Sequence, residues 1–123
     1  MNLLTPELRE LLLANGRMRD GDHIPVVRFF NPLGIGTWLA TELDEDGDTL
    51  FGLADLGEPE LGSFSLSEMA ALRLPFGMGI ERDILFEGAF PISVYAEAAR
   101  QTGSITTAER VLHAAAQSRR EDG

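Results

Sequence analysis

The chemistry-bearing residues of this chain are mainly acidic, and they fall into three groups. Glu58-Pro59-Glu60-Leu61-Gly62 places two carboxylates about a proline. Such a pair can divide acid and base work when burial drives its two pKa values apart. No partner base is identifiable, so a loop with solvated acids is the plainer reading. Glu81-Arg82-Asp83 is the second group. In an extended strand Glu81 and Asp83 share one face and Arg82 takes the other. The triplet suits an ion-paired binding face, or a strand edge whose charges discourage wrong pairing. Asp44, Asp46 and Asp48 alternate, and Asp55 follows them. This partly imitates a calcium loop, but Thr49 stands where that loop needs glycine. The Asp46-Gly47 step fits a strand hairpin instead.

The remaining candidates are weaker. His23 lies beside Asp20 and Asp22, and His113 is the second histidine. A loop histidine near acids is more often a surface residue than a metal ligand. Gly62-Ser63-Phe64-Ser65 lacks the second glycine of a nucleophile elbow. Gly34-Ile35-Gly36 and Gly77-Met78-Gly79 lack the strand–glycine–helix setting of a dinucleotide site. No catalytic residue, metal ligand or cofactor contact is therefore assigned, and no cofactor is expected. Enzymatic activity is left open, with the balance against it.

Composition narrows the classes further. A chain of 123 residues fits one domain. Folding at this size buries roughly two-thirds of the unfolded surface, enough for a self-sufficient core. With no cysteine, disulfides, thiolate metal sites and cysteine nucleophiles are excluded. Every basic residue is arginine, which removes Schiff-base chemistry and lysine phosphate loops. The net charge of −10 opposes binding to nucleic acid or to anionic membrane. The first residues, MNLLTPELRELLLANG, carry Glu7, Arg9 and Glu10 among their leucines and read as no targeting signal. No apolar run approaches the roughly 20 residues of a spanning helix. A cytoplasmic protein is expected.

The elements that position the acids can be read in order. Thr5 as N-cap and Pro6 at the first helical position predict a helix over Pro6–Asn15, with Leu4, Leu8, Leu11 and Leu12 on its apolar face. Gly16 should stop it. Ile24–Phe30 reads as a strand, and Asn31–Gly36 as a turn. Thr37–Leu43 is the next strand, with Trp38, Ala40 and Glu42 facing one way and Leu39, Thr41 and Leu43 the other. Asp44–Asp48 turns the chain back into Thr49–Ala54. Leu56–Leu61 reads as a loop and Gly62–Leu66 as a short strand.

Ser65-Leu66-Ser67-Glu68 has capping-box spacing and predicts a helix over Leu66–Arg73. Ile80–Glu87 is expected as a strand beside the central hairpin. Pro91 opens a helix with Val94, Tyr95 and Ala98 on one face, ended by Gly103. Thr106-Thr107-Ala108-Glu109 is a second capping box, starting a last helix through Gln117, with Ser118–Gly123 frayed. The fold class is α+β: a single domain with an antiparallel sheet of four to five strands and helices packed against it.

These residues also carry a resemblance. Leu3-Leu4-Thr5, Pro25-Val26-Val27, Phe29-Phe30, Thr37-Trp38 and Ala40-Thr41-Glu42 occur in order. Phe51-Gly52-Leu53, Glu58-Pro59-Glu60-Leu61-Gly62, Ser65-Leu66-Ser67-Glu68 and Ile80-Glu81-Arg82-Asp83 follow. On them the chain resembles the bacterial domain of unknown function 2958 family over about residues 2–103. The resemblance implies a compact domain at residues 1–103 and a setting on plasmids and other mobile genetic elements. It implies no activity and no catalytic residue. Residues 104–123 then read as an additional C-terminal helix and frayed tail.

Charge distribution gives the functional expectation. No basic residue lies between Arg28 and Arg73, while that span holds Glu42, Asp44, Glu45, Asp46, Asp48, Asp55, Glu58, Glu60 and Glu68. A surface around Asp44, Asp46, Asp48, Glu58 and Glu60 is expected to meet a basic protein partner. A sharper version is a nucleic-acid mimic that inhibits a host restriction or CRISPR system. The competing expectation is a small enzyme or ligand-binding domain with Glu58, Glu60, Glu81, Arg82 and Asp83 in one cleft. Direct DNA binding through Arg17 and Arg19, or Arg119 and Arg120, runs against the net charge.

Overall fold

The computed structural model describes residues 2–122. Ten elements follow in chain order: α1 (Pro6–Gly16), β1 (Val27–Phe30), β2 (Thr37–Leu43), β3 (Thr49–Asp55), β4 (Pro59–Ser65), α2 (Leu66–Ala71), a short 3-10 helix (Pro75–Gly77), β5 (Glu81–Arg82), α3 (Ile92–Thr102) and α4 (Ile105–Asp122). The five strands form one sheet in the order β4-β3-β2-β1-β5, and every neighbouring pair is antiparallel. The α+β reading therefore holds.

Helices cover both faces of the sheet, so its inner strands are apolar on both sides. Against α1 and α2 lie Val27, Phe29, Trp38, Ala40, Leu43 and Leu50, joined by Leu12, Leu66 and Met69. Against α3 and α4 lie Leu39 and Leu53, joined by Ile92, Tyr95, Ala96, Ala99, Ile105 and Ala108. Each large side chain buried here contributes about 1.5–3 kcal/mol.

The two layers are reconciled by a break in β2. Ala40 pairs with Gly52 and Glu42 with Phe51, so Thr41 is an extra residue on its strand. Such a bulge reverses the alternation beyond it. Leu43 therefore joins Trp38 and Ala40, while Glu42 moves to the side of Leu39 and Phe51. This corrects the strict alternation expected along Thr37–Leu43. Thr41 is fully buried, its hydroxyl donates to the Phe51 carbonyl at 3.2 Å, and its own carbonyl accepts from Asn15 Nδ2 at 3.0 Å. Opposite the bulge, a Cβ on Gly52 would fall 1.9 Å from the Leu39 carbonyl oxygen, so no larger residue fits.

Several boundaries differ from expectation for identifiable reasons. Pro59–Leu61 is strand rather than loop, because Pro59 sits at the outer edge where its missing N–H is not needed. Ile80–Glu87 yields only the two residues of β5, which pair with β1 and not with the central hairpin. Beyond it Asp83 turns the chain, its Oδ1 accepting from Leu85 N at 3.0 Å. The strand predicted from Ile24 begins at Val27, after Pro25. Leu11 is 55% exposed, so the inner face of α1 is carried by Leu8 and Leu12, with Leu4 buried just before the helix. The buried face of α3 is Ile92, Tyr95, Ala96 and Ala99, a rotation from the expected Val94, Tyr95 and Ala98.

Thr5 caps α1 and Ser65 caps α2 as expected, accepting from Leu8 N at 3.1 Å and Glu68 N at 3.2 Å. The cap of α4 is different. Ser104, not Thr106, accepts from Thr107 N at 3.0 Å, which leaves Glu109 free of the predicted capping role. Asp55 adds a second cap from across the domain, its Oδ2 accepting from Ile105 N at 3.0 Å. Ile105 and Ala108 thus belong to the core of the sheet. The helix continues past Gln117 to Asp122, and Gly123 lies outside the described residues.

Candidate functional site

The five acids of the expected interaction surface lie at the two ends of β3, about 20 Å apart for a seven-residue strand. At the first end, the Asp44–Asp48 turn, the carboxylates bond within the molecule. Gly47 supplies the positive φ of 73° that the turn requires. Asp46 accepts from Asp48 N and Thr49 N, both at 2.8 Å, and from the Thr49 hydroxyl at 2.6 Å. Asp48 accepts from the Ser65 hydroxyl at 2.7 Å and from Ser67 N at 2.8 Å, so it helps cap α2. Asp44 pairs with Arg19. The Thr49 hydroxyl chiefly holds Asp46 below the usual carboxylate range, and the Ser65 hydroxyl does the same for Asp48. Hydrogen bonds to the ionised form are the physical cause. Glu45 and Asp46 are the exposed acids of this turn.

At the second end Asp55 turns inward, 8% exposed, bonding Gly57 N and Ile105 N. Glu58 and Glu60 stay exposed. Beside them a groove of about 760 Å³ opens between β4 and α3. Its lining includes Leu53, Pro59 and Leu61 on the sheet side and Ala96, Arg100 and Gly103 on the helix side. Leu61 is 44% exposed there. Arg100 is held by Glu97 on its own helix at 2.8 Å.

Glu81, Arg82 and Asp83 lie at the opposite edge of the sheet. Four interstrand spacings separate β4 from β5, roughly 19 Å. The five-residue cleft that an enzymatic reading needs is therefore not assembled. The triplet itself also divides. Arg82 donates to the backbone carbonyls of Asn2 at 3.3 Å and Leu3 at 3.0 Å, fixing the start of the chain. Asp83 lies 3.8 Å from Arg28.

Arg28 leads to a pair that sequence reasoning missed. Its Nε donates to Glu109 at 3.1 Å, and both side chains are only 15% exposed. The guanidinium also lies over Phe30, 5.7 Å from the ring centroid. Burial pushes the Glu109 carboxyl up, and the charge of Arg28 offsets part of that rise. The pair locks α4 onto β1. Its two members are far apart in the chain and share no motif, so nothing local announces it.

The imitation of a calcium loop also resolves into structure. Asp55 stands at the far end of β3 from Asp46 and Asp48. Near His23, Asp22 accepts from Ser93 N at 3.0 Å and from the Ser93 hydroxyl, capping α3. That bonding lowers the Asp22 pKa. Among the described residues no three His, Asp or Glu side chains are grouped to hold a metal. No described helix is long and apolar enough to cross a membrane.

The groove by β4 had one signal in the sequence. Strand alternation through Pro59–Ser65 sets Leu61 and Ser63 on one face, with no helix-length apolar pattern beside them to cover it. No curated protein and no solved structure matches the chain significantly. Residues 3–106 match the model of the family described as "Protein of unknown function (DUF2958)", and the chain belongs to that family.

Proposed function

We propose that this is a small acidic accessory protein of a mobile genetic element, which contacts a basic protein partner through carboxylates on its β2–β4 half. The supporting observation is a long span of sequence without basic residues, from which several glutamates stay exposed. The span between Arg28 and Arg73 has no basic residue, and it builds the β4 side of the sheet. Glu45, Glu58 and Glu60 are exposed on that side. Exposed like charges of this kind steer a complementary partner and repel the wrong one. The mobile-element setting rests on the family resemblance alone. Inhibition of a host restriction or CRISPR system, with carboxylates standing in for phosphates, is the sharper form of the same reading.

The test is affinity capture from host lysate, with and without nuclease, using wild type and a Glu45→Lys/Glu58→Lys/Glu60→Lys variant. Asp46 and Asp48 are left unchanged because they hold the turn and cap α2. A nuclease-resistant partner lost with the variant is the expected result. A nucleic-acid-binding enzyme as that partner supports the inhibitor form. Undiminished capture by the variant overturns the surface.

A further inference from the structure

The two edges of the sheet are built differently. β5 is two residues long and consists of Glu81 and Arg82, a short charged edge of the kind that resists added strands. β4 is seven residues long and pairs with β3 in unbroken register. Its one proline is its first residue, it has no bulge against β3, and Glu60 is its one charged residue. Nothing in β4 blunts its outer side.

The direction of the free backbone groups follows from the ladder. The Thr49 carbonyl accepts from Asp44 N toward β2, and the Asp48 carbonyl accepts from Leu66 N toward the β4 side. Antiparallel alternation then turns Leu50, and with it Phe64, toward the shared ladder. Leu61 and Ser63 are left presenting N–H and C=O outward. The flank of this edge on the α3 side is the groove over Leu61, and a Cβ at Gly62 would meet nothing within 4 Å. The free carboxylates at its start are Glu58 and Glu60, while the one arginine in the groove is paired with Glu97.

We propose that β4 accepts an extended basic segment of the partner protein as a sixth, edge-added strand. Its backbone bonds Leu61 and Ser63, alternate apolar side chains enter the groove over Leu61, and arginine or lysine meets Glu58 and Glu60. Strand addition supplies affinity through main-chain bonds and specificity through alternate side chains. This deepens the acidic-surface reading and rests on it.

The test uses a blocked peptide as long as β4, alternating arginine and valine, against a control alternating glutamate and valine. Amide exchange and NMR shifts are followed on the full chain. The arginine peptide is expected to protect Leu61 and Ser63 and the control to leave them unchanged. Ser63→Pro removes one outward donor at an edge position that tolerates proline and should weaken binding about tenfold. Glu58→Lys/Glu60→Lys should exchange the preference of the two peptides, which keeps the test decisive if Ser63→Pro fails to fold. Protection elsewhere, or no binding of the arginine peptide, overturns the edge site. In either case loss of lysate capture with the charge variant would still leave the acidic-surface reading standing. Peptide-free dimerisation through the same amides would make a second copy the occupant and overturn the basic partner.

Discussion

The two turns that bracket β3 are both acidic in sequence and opposite in use. At Asp44–Asp48 the carboxylates of Asp46 and Asp48 accept backbone and hydroxyl hydrogens, and Asp44 meets Arg19. At the other end one acid, Asp55, turns inward, and Glu58 and Glu60 face solvent beside a groove. Negative charge along a chain is therefore poor evidence for a partner until the hydrogens each carboxylate already accepts are known. A carboxylate closing a turn acts on folding, and one left in solvent is free to act on another molecule.

The largest effect should come from Asp55→Ala. It strands the buried Ile105 N–H and should cost about 2–3 kcal/mol, read by denaturant unfolding. A loss below 0.5 kcal/mol, the usual range of a surface change, would remove Asp55 from the inward class. Asp48→Ala comes next, because it uncaps α2 and frees Ser65; the melting temperature should fall by roughly 5 °C.

Acid should separate the Asp44–Asp48 turn from the Arg28–Glu109 pair by sign. Asp46 and Asp48 have folded pKa values below their ordinary 3.8, so their stabilisation is present above that pH and is lost as pH falls through the lowered values. Glu109 is raised above its ordinary 4.5, so its protonated form gains; its contribution is full below 4.5 and declines as pH rises through the raised value. Wild type should therefore lose stability below about pH 4. An Asp46→Asn/Asp48→Asn variant should show a shallower acid slope, whereas an unchanged slope would show these bonds inert. The smallest effect belongs to Glu58→Lys/Glu60→Lys, whose melting temperature should stay within about 2 °C of wild type. A fall as large as that of Asp48→Ala would erase the contrast between the turns.

Much of the scaffold was legible because its causes are local. Thr5 and Ser65 cap from within their own segments, Asp46-Gly47 specifies its turn, and the bounds of β2 and the start of β3 follow from β-branched and aromatic residues between breakers. What escaped depends on partners distant in the chain. The bulge at Thr41 exists only in relation to Gly52 and Phe51. Ile80–Glu87 has strand composition, yet β1 offers it only Phe29 and Phe30 to pair with. Asp55 caps a helix that starts 50 residues later. At the candidate site Glu58 and Glu60 were visible as residues, but the groove beside them forms only where α3 packs beside β4.

Thr41 sets the phase of the molecule. Before it, even-numbered positions feed the α1 layer; after it, odd-numbered Leu43 does. A deletion of this single residue would not merely shorten a strand. It would bring Ala40 and Glu42 into plain alternation, with Trp38, Ala40 and Leu43 still on one layer and Leu39 and Glu42 on the other, and would remove the buried tie that Thr41 makes to Phe51 and Asn15.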